Sequence, residues 1–435
     1  MLVLLFLGLL VLALAAPIPQ NSTPAGYSNT IAPRMKTATY VANITDPALT
    51  RDSCGSSRIG DRVFWTCRDT QAYDVAAGKA QALPIMTNTA AWTDLKSEGG
   101  PKLGAGPAGA ASDGIKPILQ MYGGDAMTMP TYFPVQANQC PGSGACGDGT
   151  RYPVWPDQPP LVAQNGQDGS AVTYTWTPNV QLRGVNNGIT ENPSHNLYKG
   201  TYSPSADPNA VPKVELVAAA FYGENEVAYG RYGSVISKDI AYLYGQTADQ
   251  QTVLARVAPG KIEDRSAYEY YQTSTQRWVT TAPVFNASTA TSAPSYGALE
   301  STSVPAVSPS KDTQSTYIIP NAGFGGQGTF YYSSYFSRFV WIGQSSGMDG
   351  MLANFYITTA PSPEGPWTEP TSLFQGESGD HPMAQAYTLQ AHPSLLPSGP
   401  DVASEAGIYL SWTQQWQETT VGSVYVTPLV WLEFE

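Results

Sequence analysis

Arg338-Phe-Val-Trp-Ile-Gly343 joins β-branched and aromatic side chains in one short run that stops at a glycine. That is the make-up of a strand, not of a helix. The same grammar recurs outward from it. Upstream stand Ile240-Ala-Tyr-Leu-Tyr-Gly245, Val172-Thr-Tyr-Thr-Trp-Thr177 and Arg62-Val-Phe-Trp-Thr-Cys67; downstream stands Gly407-Ile-Tyr-Leu-Ser-Trp-Thr413. Clusters of Gly, Pro, Asn, Asp and Ser separate these runs, as turns require. The longest candidate helix, Pro212 to Phe221, is rich in Val and Ala and reads equally well as a buried strand. The pattern predicts an all-β chain of hairpins.

A weak repeat refines the prediction. Trp278 and Trp367 each stand seven residues before a phenylalanine, Phe285 and Phe374, and lie 89 residues apart. Trp92-Thr and Trp176-Thr read as more degenerate copies. So long a period suits four-stranded propeller blades with large loops. About 420 mature residues at roughly 84 per blade give a five-bladed β-propeller as a single domain. Two stacked β-sandwiches are the alternative, but no linker separates two halves. The polar stretch from Asn286 to Thr316 returns directly to aromatic strands and is expected to be a surface loop.

Charged residues are 13% of the 435, about half the usual ~25%, and apolar residues are 42%. Low charge with ordinary apolarity excludes global disorder. The net charge of −12, with no Lys/Arg cluster, excludes a nucleic-acid partner and an anionic membrane surface, both of which need a basic footprint. A neutral or cationic partner fits. Leu2 to Leu14 is almost wholly apolar, too short to span a bilayer, and ends at Ala13-Leu14-Ala15; residues 1–15 are expected to be a secretory signal, although no Lys or Arg precedes the run. Residues 16–36 are expected to be a flexible segment and 37–435 the domain.

Secretion accords with four cysteines. Of three possible pairings, Cys54–Cys67 across a turn and strand, with Cys140–Cys146 around a five-residue loop, is favoured. Sequons at Asn21, Asn43 and Asn286 are candidate glycosylation sites. A monomer with no membrane insertion is expected.

Phosphate-binding, dinucleotide-binding and HExxH or CxxC motifs are missing, and three histidines make a His-rich metal centre improbable; no cofactor or metal is expected. Gly343-Gln-Ser-Ser-Gly347 matches a nucleophile elbow, with Asp380, His381 and His392 following in order. That motif needs a strand-to-helix turn on a parallel sheet, and Asn354 onwards reads as another strand. Carboxylates are more informative in so uncharged a chain. Asp52 precedes Ser-Cys-Gly, and Asp69 ends a strand two residues after Cys67. A 54–67 bond would hold the two acids together, and paired carboxylates in one rigid site divide into acid and base; the plainer role of each is a turn cap. Tyr222-Gly-Glu-Asn-Glu-Val-Ala-Tyr-Gly-Arg-Tyr-Gly233 is a second candidate, with Glu224 and Glu226 expected on one strand face beside aromatic planes suited to sugars.

Asp52 with "FWTCRDT" (64–70), "YGSVISKDIAYLYGQT" (232–247) with "VLARV" (253–257), "SPEGPWTEP" (362–370) and "AHPSLL" (391–396) together resemble the domain-of-unknown-function family 4185. The resemblance runs from about residue 40 to 415. It implies a five-bladed propeller and, through members classed as glycoside hydrolase family 183, endo-acting D-arabinanase activity. Asp69 matches the acid of that family's Gly-Asp-Thr and Asp52 the acid opening the preceding strand, so these two are the implied catalytic carboxylates. Arg68 replaces the expected glycine. Segments around 99–115 and 138–170 have no counterpart. The resulting expectation is a secreted glycoside hydrolase cleaving a furanose-containing polysaccharide through Asp52 and Asp69. Glu226 is the reserve acid, and Arg68, Tyr229, Arg231 and His392 are candidate substrate contacts. The alternative is a non-catalytic carbohydrate-binding propeller.

Overall fold

The computed structural model describes residues 31–74, 79–80, 86–104, 117–124, 131–140, 144–184, 187–190, 192–285, 316–382, 384–418 and 422–435. The chain is all-β: among the described residues every helical element is a 3-10 turn of three or four residues. Pro212 to Phe221 resolves as strand Lys213–Tyr222.

Five sheets, antiparallel but for one parallel Asn43–Ile118 pairing in the fifth, follow one another along the chain. The first holds Gly55–Ile59, Arg62–Cys67 and Thr89–Asp94; the second, Leu161–Asn165, Ala171–Pro178, His195–Tyr202 and Lys213–Tyr222. The third runs Gly233–Ser237, Ile240–Gln246, Thr252–Val257, Glu269–Gln272 and Arg277–Val279, and the fourth Gly325–Ser333, Arg338–Ser345, Asn354–Ala360 and Thr371–Gln375. In the fifth, Ala386–Ala391, Gly407–Glu418 and Pro428–Phe434 are joined by Met35–Asn43 from the other end of the chain. Two small three-stranded sheets lie outside this series. Met35 and Lys36, expected in a flexible segment, already belong to that strand.

Alternation along each strand sends apolar side chains to both faces, so the core lies in layers between sheets. Ile59 and Phe64 meet Ala171 and Tyr202 between first and second. Trp176 and Tyr222 meet Leu243 and Tyr270 between second and third. Tyr244 of the third stacks on Phe330 of the fourth at 3.7 Å and 7°. Phe355 of the fourth meets Trp412 of the fifth at 5.8 Å. Ala42 and Leu429 of the fifth pack with Val63 and Trp65 of the first. Each fully buried aromatic or aliphatic side chain is worth about 1.5–3 kcal/mol. The tryptophan repeat is only partly structural: Trp92, Trp278 and Trp367 sit in or just before the last strand of their sheets, whereas Trp176 occupies a second strand.

The leading strands of consecutive sheets are neighbours. The Gly55 backbone passes so close to Pro159 that a Cβ would come within 3.0 Å of it. The Thr329 hydroxyl donates to Gln390 at 2.6 Å, and Ser56 meets His392 at 2.7 Å. Loops entering these strands therefore converge, and they carry the site.

Candidate functional site

Asp52 and Asp69 stand opposite one another across the first sheet's opening hairpin. The Asp52 N–H donates to the Asp69 carbonyl at 3.0 Å and the Arg68 N–H to the Asp52 carbonyl at 2.8 Å. The buried Cys54–Cys67 bond closes the same ladder, with Cα atoms 4.0 Å apart; Cys140–Cys146 forms as well.

The two carboxyls differ in surroundings. Asp52 is 5% exposed and is met by hydroxyls: Ser53 donates to it, and Thr413 of the fifth sheet donates at 2.9 Å. Ser53 has φ 52° and its contact Thr388 φ 53°, unusual for non-glycine residues and more so for a β-branched one. Burial pushes Asp52 up to about 6, with the Arg68 charge and both hydroxyls pulling against it and Asp69 adding to it. Asp69, 2% exposed, is held by Arg151: Nη1 to Oδ1 at 3.1 Å and Nη2 to Oδ2 at 3.0 Å. The Trp155 indole also donates to Oδ1, at 3.0 Å.

A third aspartate, missed in the sequence, joins the sheets. Asp157 precedes the second sheet's leading strand just as Asp52 precedes the first's. It accepts from Arg68 of the first sheet, from Arg231 Nε before the third at 2.7 Å, and from Gln327 of the fourth at 3.4 Å. Arg68, standing where the resemblance expects glycine, thus fills the centre with a guanidinium paired to Asp157. Gly230, at φ 98° with the Trp176 ring where a Cβ would stand, makes the turn that delivers Arg231. Arg151, Trp155 and Asp157 all come from the 138–170 insert. The available signal was Trp155-Pro-Asp-Gln-Pro-Pro160, an acid between prolines directly ahead of a strand.

Other expected residues lie elsewhere. Residues 223–226 form a turn, with Asn225 at φ 64°, so Glu224 and Glu226 do not share a strand face. Glu226 accepts from the Gly223 N–H at 2.5 Å and from Arg265 at 3.0 Å. Burial pushes its pKa up, but Arg265 and that N–H outweigh burial and leave it below the ordinary range. This is an ionised partner rather than a proton-holding acid. Tyr229 is buried against Tyr270, ring centroids 5.2 Å apart, and offers no open face. His392 is wholly buried, with Ser56 on Nδ1 at 2.7 Å and Ser411 on Nε2 at 2.6 Å. Burial lowers its pKa to about 3, and its role is to pin the fifth sheet to the first. Ser345 ends an antiparallel strand and donates to Asp349 at 2.8 Å; a 3-10 turn follows, so the elbow geometry is missing.

Asn43 is 4% exposed and accepts from Tyr40 at 2.9 Å, which leaves no room for a glycan in the folded chain. Asn21, Asn286 and the apolar residues 1–15 lie outside the described residues. Among the described residues no group of three His, Cys, Asp or Glu is arranged to hold a metal, and no helix is long and apolar enough to cross a membrane.

No protein-family model and no curated protein matches the sequence. Among solved structures, the chain is similar to "a putative hydrolase" from Bacteroides ovatus ATCC 8483, at 13% identity over 88% of this chain and 85% of that one, with a TM-score of 0.51. That likeness is one of fold. The GH43_1 enzyme from Xanthomonas citri complexed with xylotriose aligns at 9% identity over 90% of each chain, TM-score 0.40. The GH62 alpha-L-arabinofuranosidase catalytic domain of Coprinopsis cinerea aligns at 8% over 90% of this chain and 97% of that one, TM-score 0.37.

Proposed function

We propose that the chain is a secreted glycoside hydrolase, a five-bladed β-propeller cleaving a furanose-containing, D-arabinan-like polysaccharide through Asp52 and Asp69. Five sheets in sequence, with apolar layers from each to the next and from the last back to the first, support the propeller. Two disulfides support an oxidising compartment. The observation that carries the activity is Asp52: a carboxyl raised to about 6 beside Asp69 and Arg68, with Thr413 of the fifth sheet donating to it.

A carboxyl poised near 6 can hold a proton at mildly acidic pH and give it to a departing glycosidic oxygen. Asp69, paired with Arg151, is then the counterpart acting as nucleophile or base. Its Oδ2 bears a single hydrogen bond, which leaves a lone-pair direction for that task. Activity should fall as pH rises past about 6, because the acid form of Asp52 is lost.

A second reading, a propeller that binds sugar without cleaving it, is favoured by one observation: Arg151 and Trp155 together supply three hydrogen bonds to Asp69. A panel of arabinan, arabinogalactan and fructan separates the two. Released reducing ends that vanish in Asp52→Asn support the hydrolase; binding without release supports the lectin; turnover by the variant removes Asp52 from the reaction.

A further inference from the structure

Beside the Asp157–Arg231 pair lies a cavity of about 40 Å³ lined by His195, Glu226, Ala228, Arg231, Tyr232 and Gln246. His195 opens the third strand of the second sheet and is 6% exposed, yet among the described residues neither ring nitrogen has a hydrogen-bond partner. An unpartnered buried imidazole costs free energy, so this position is built to receive something. Burial, with the nearby Arg231 charge, lowers its pKa to about 3. The ring is therefore neutral, with one N–H to give and one lone pair to accept.

The walls define the occupant's chemistry. Arg231 donates and Glu226 accepts; Arg231 is already balanced by Asp157 at 2.7 Å. A carboxylate in the wall disfavours an anion, and a neutral imidazole with one acid is a poor cation site. Partners that both donate and accept suit a hydroxyl. At roughly 10–15 Å³ per water-sized probe, the space admits about three or four waters or one –CH2OH, not a sugar ring.

We infer that this cavity is a hydroxymethyl pocket: it takes the exocyclic –CH2OH of a furanose seated on the Asp52–Asp157 centre, with His195 as its hydrogen-bonding wall. The inference rests on the sugar-binding part of the reading above. The pocket selects sugars that carry the group against those that lack it, because the latter leave His195 unpaired.

Three histidines in the whole chain make the test direct. With ring-labelled histidine, the full chain is titrated with methyl D-arabinofuranoside and with its 5-deoxy counterpart. The His195 resonance, identified by its disappearance in His195→Gln, should move with the first sugar, and the second should bind at least about tenfold more weakly. Equal shifts with both sugars, or none with either, overturn the pocket. Should His195→Gln not fold, Gln246→Ala on the cavity wall should weaken methyl D-arabinofuranoside about tenfold and leave the 5-deoxy sugar unaffected; unchanged binding of the first overturns the pocket. The resonance reports occupancy whether or not any bond is cut, so failure of the hydrolase reading shows separately, as a polysaccharide panel with no released ends.

Discussion

Two sides of one hairpin carry the two acids, and they are built to opposite ends. The Asp52 side faces the fifth sheet and is furnished with hydroxyls from Ser53 and Thr413. The Asp69 side faces the insert and is furnished with the Arg151 guanidinium and the Trp155 indole. Hydroxyl donors and a bidentate arginine both favour the carboxylate, but at Asp52 burial outweighs Ser53, Thr413 and the Arg68 charge together. Proximity alone therefore does not make two acids equivalent: burial lets Asp52 keep a proton near pH 6, while Asp69 is tied to an arginine and an indole.

That contrast is exposed to experiment. Asp69→Asn removes the carboxylate that Arg151, 3% exposed, holds through two hydrogen bonds, and should cost about 3–5 kcal/mol of stability, read by denaturant unfolding at pH 7. An unchanged midpoint would mean the guanidinium does not hold Asp69 in solution. Removing the clamp on both acids, with Cys54→Ser and Cys67→Ser together, should cost about 3 kcal/mol through the freed loop and merge the two sides' behaviour. Asp52→Asn should do the reverse. Because the folded pKa, about 6, lies above the ordinary 3.8, native stability falls as pH rises between those values. The variant should thus gain up to about 3 kcal/mol at pH 8 and nothing below pH 4, measured by melting at both. A loss at pH 8 would show that Asp52 is ionised without strain. Glu226→Gln, at an ion pair with Arg265 in which both side chains are more than a third exposed, should change stability by less than about 1 kcal/mol.

The strand grammar was legible because hairpin strands declare themselves locally: Arg338–Ser345 and its relatives fall where their aromatic runs lie. The acid pair was legible for the same reason, since the two acids flank a pair of cysteines 13 residues apart. Asp157, Arg151 and Trp155 were not. Their contacts to Arg68 and Asp69 span 82 to 89 residues, and the segment bearing them has no periodicity to register against a partner. His392 and Tyr229 misled in the opposite direction, because a rare histidine or a glycine-flanked tyrosine looks the same in sequence whether it faces solvent or fills a layer between sheets.

The seam between the first and last strands has a mechanical corollary. Met35 pairs with Phe434 and Asn43 with Pro428, antiparallel, so both ends of the strand pair emerge at the same edge. A force applied to the two ends would load those backbone bonds one after another, as a zipper is opened, and not all at once in shear. The fifth sheet is therefore where traction would breach this molecule, with the other four still wound.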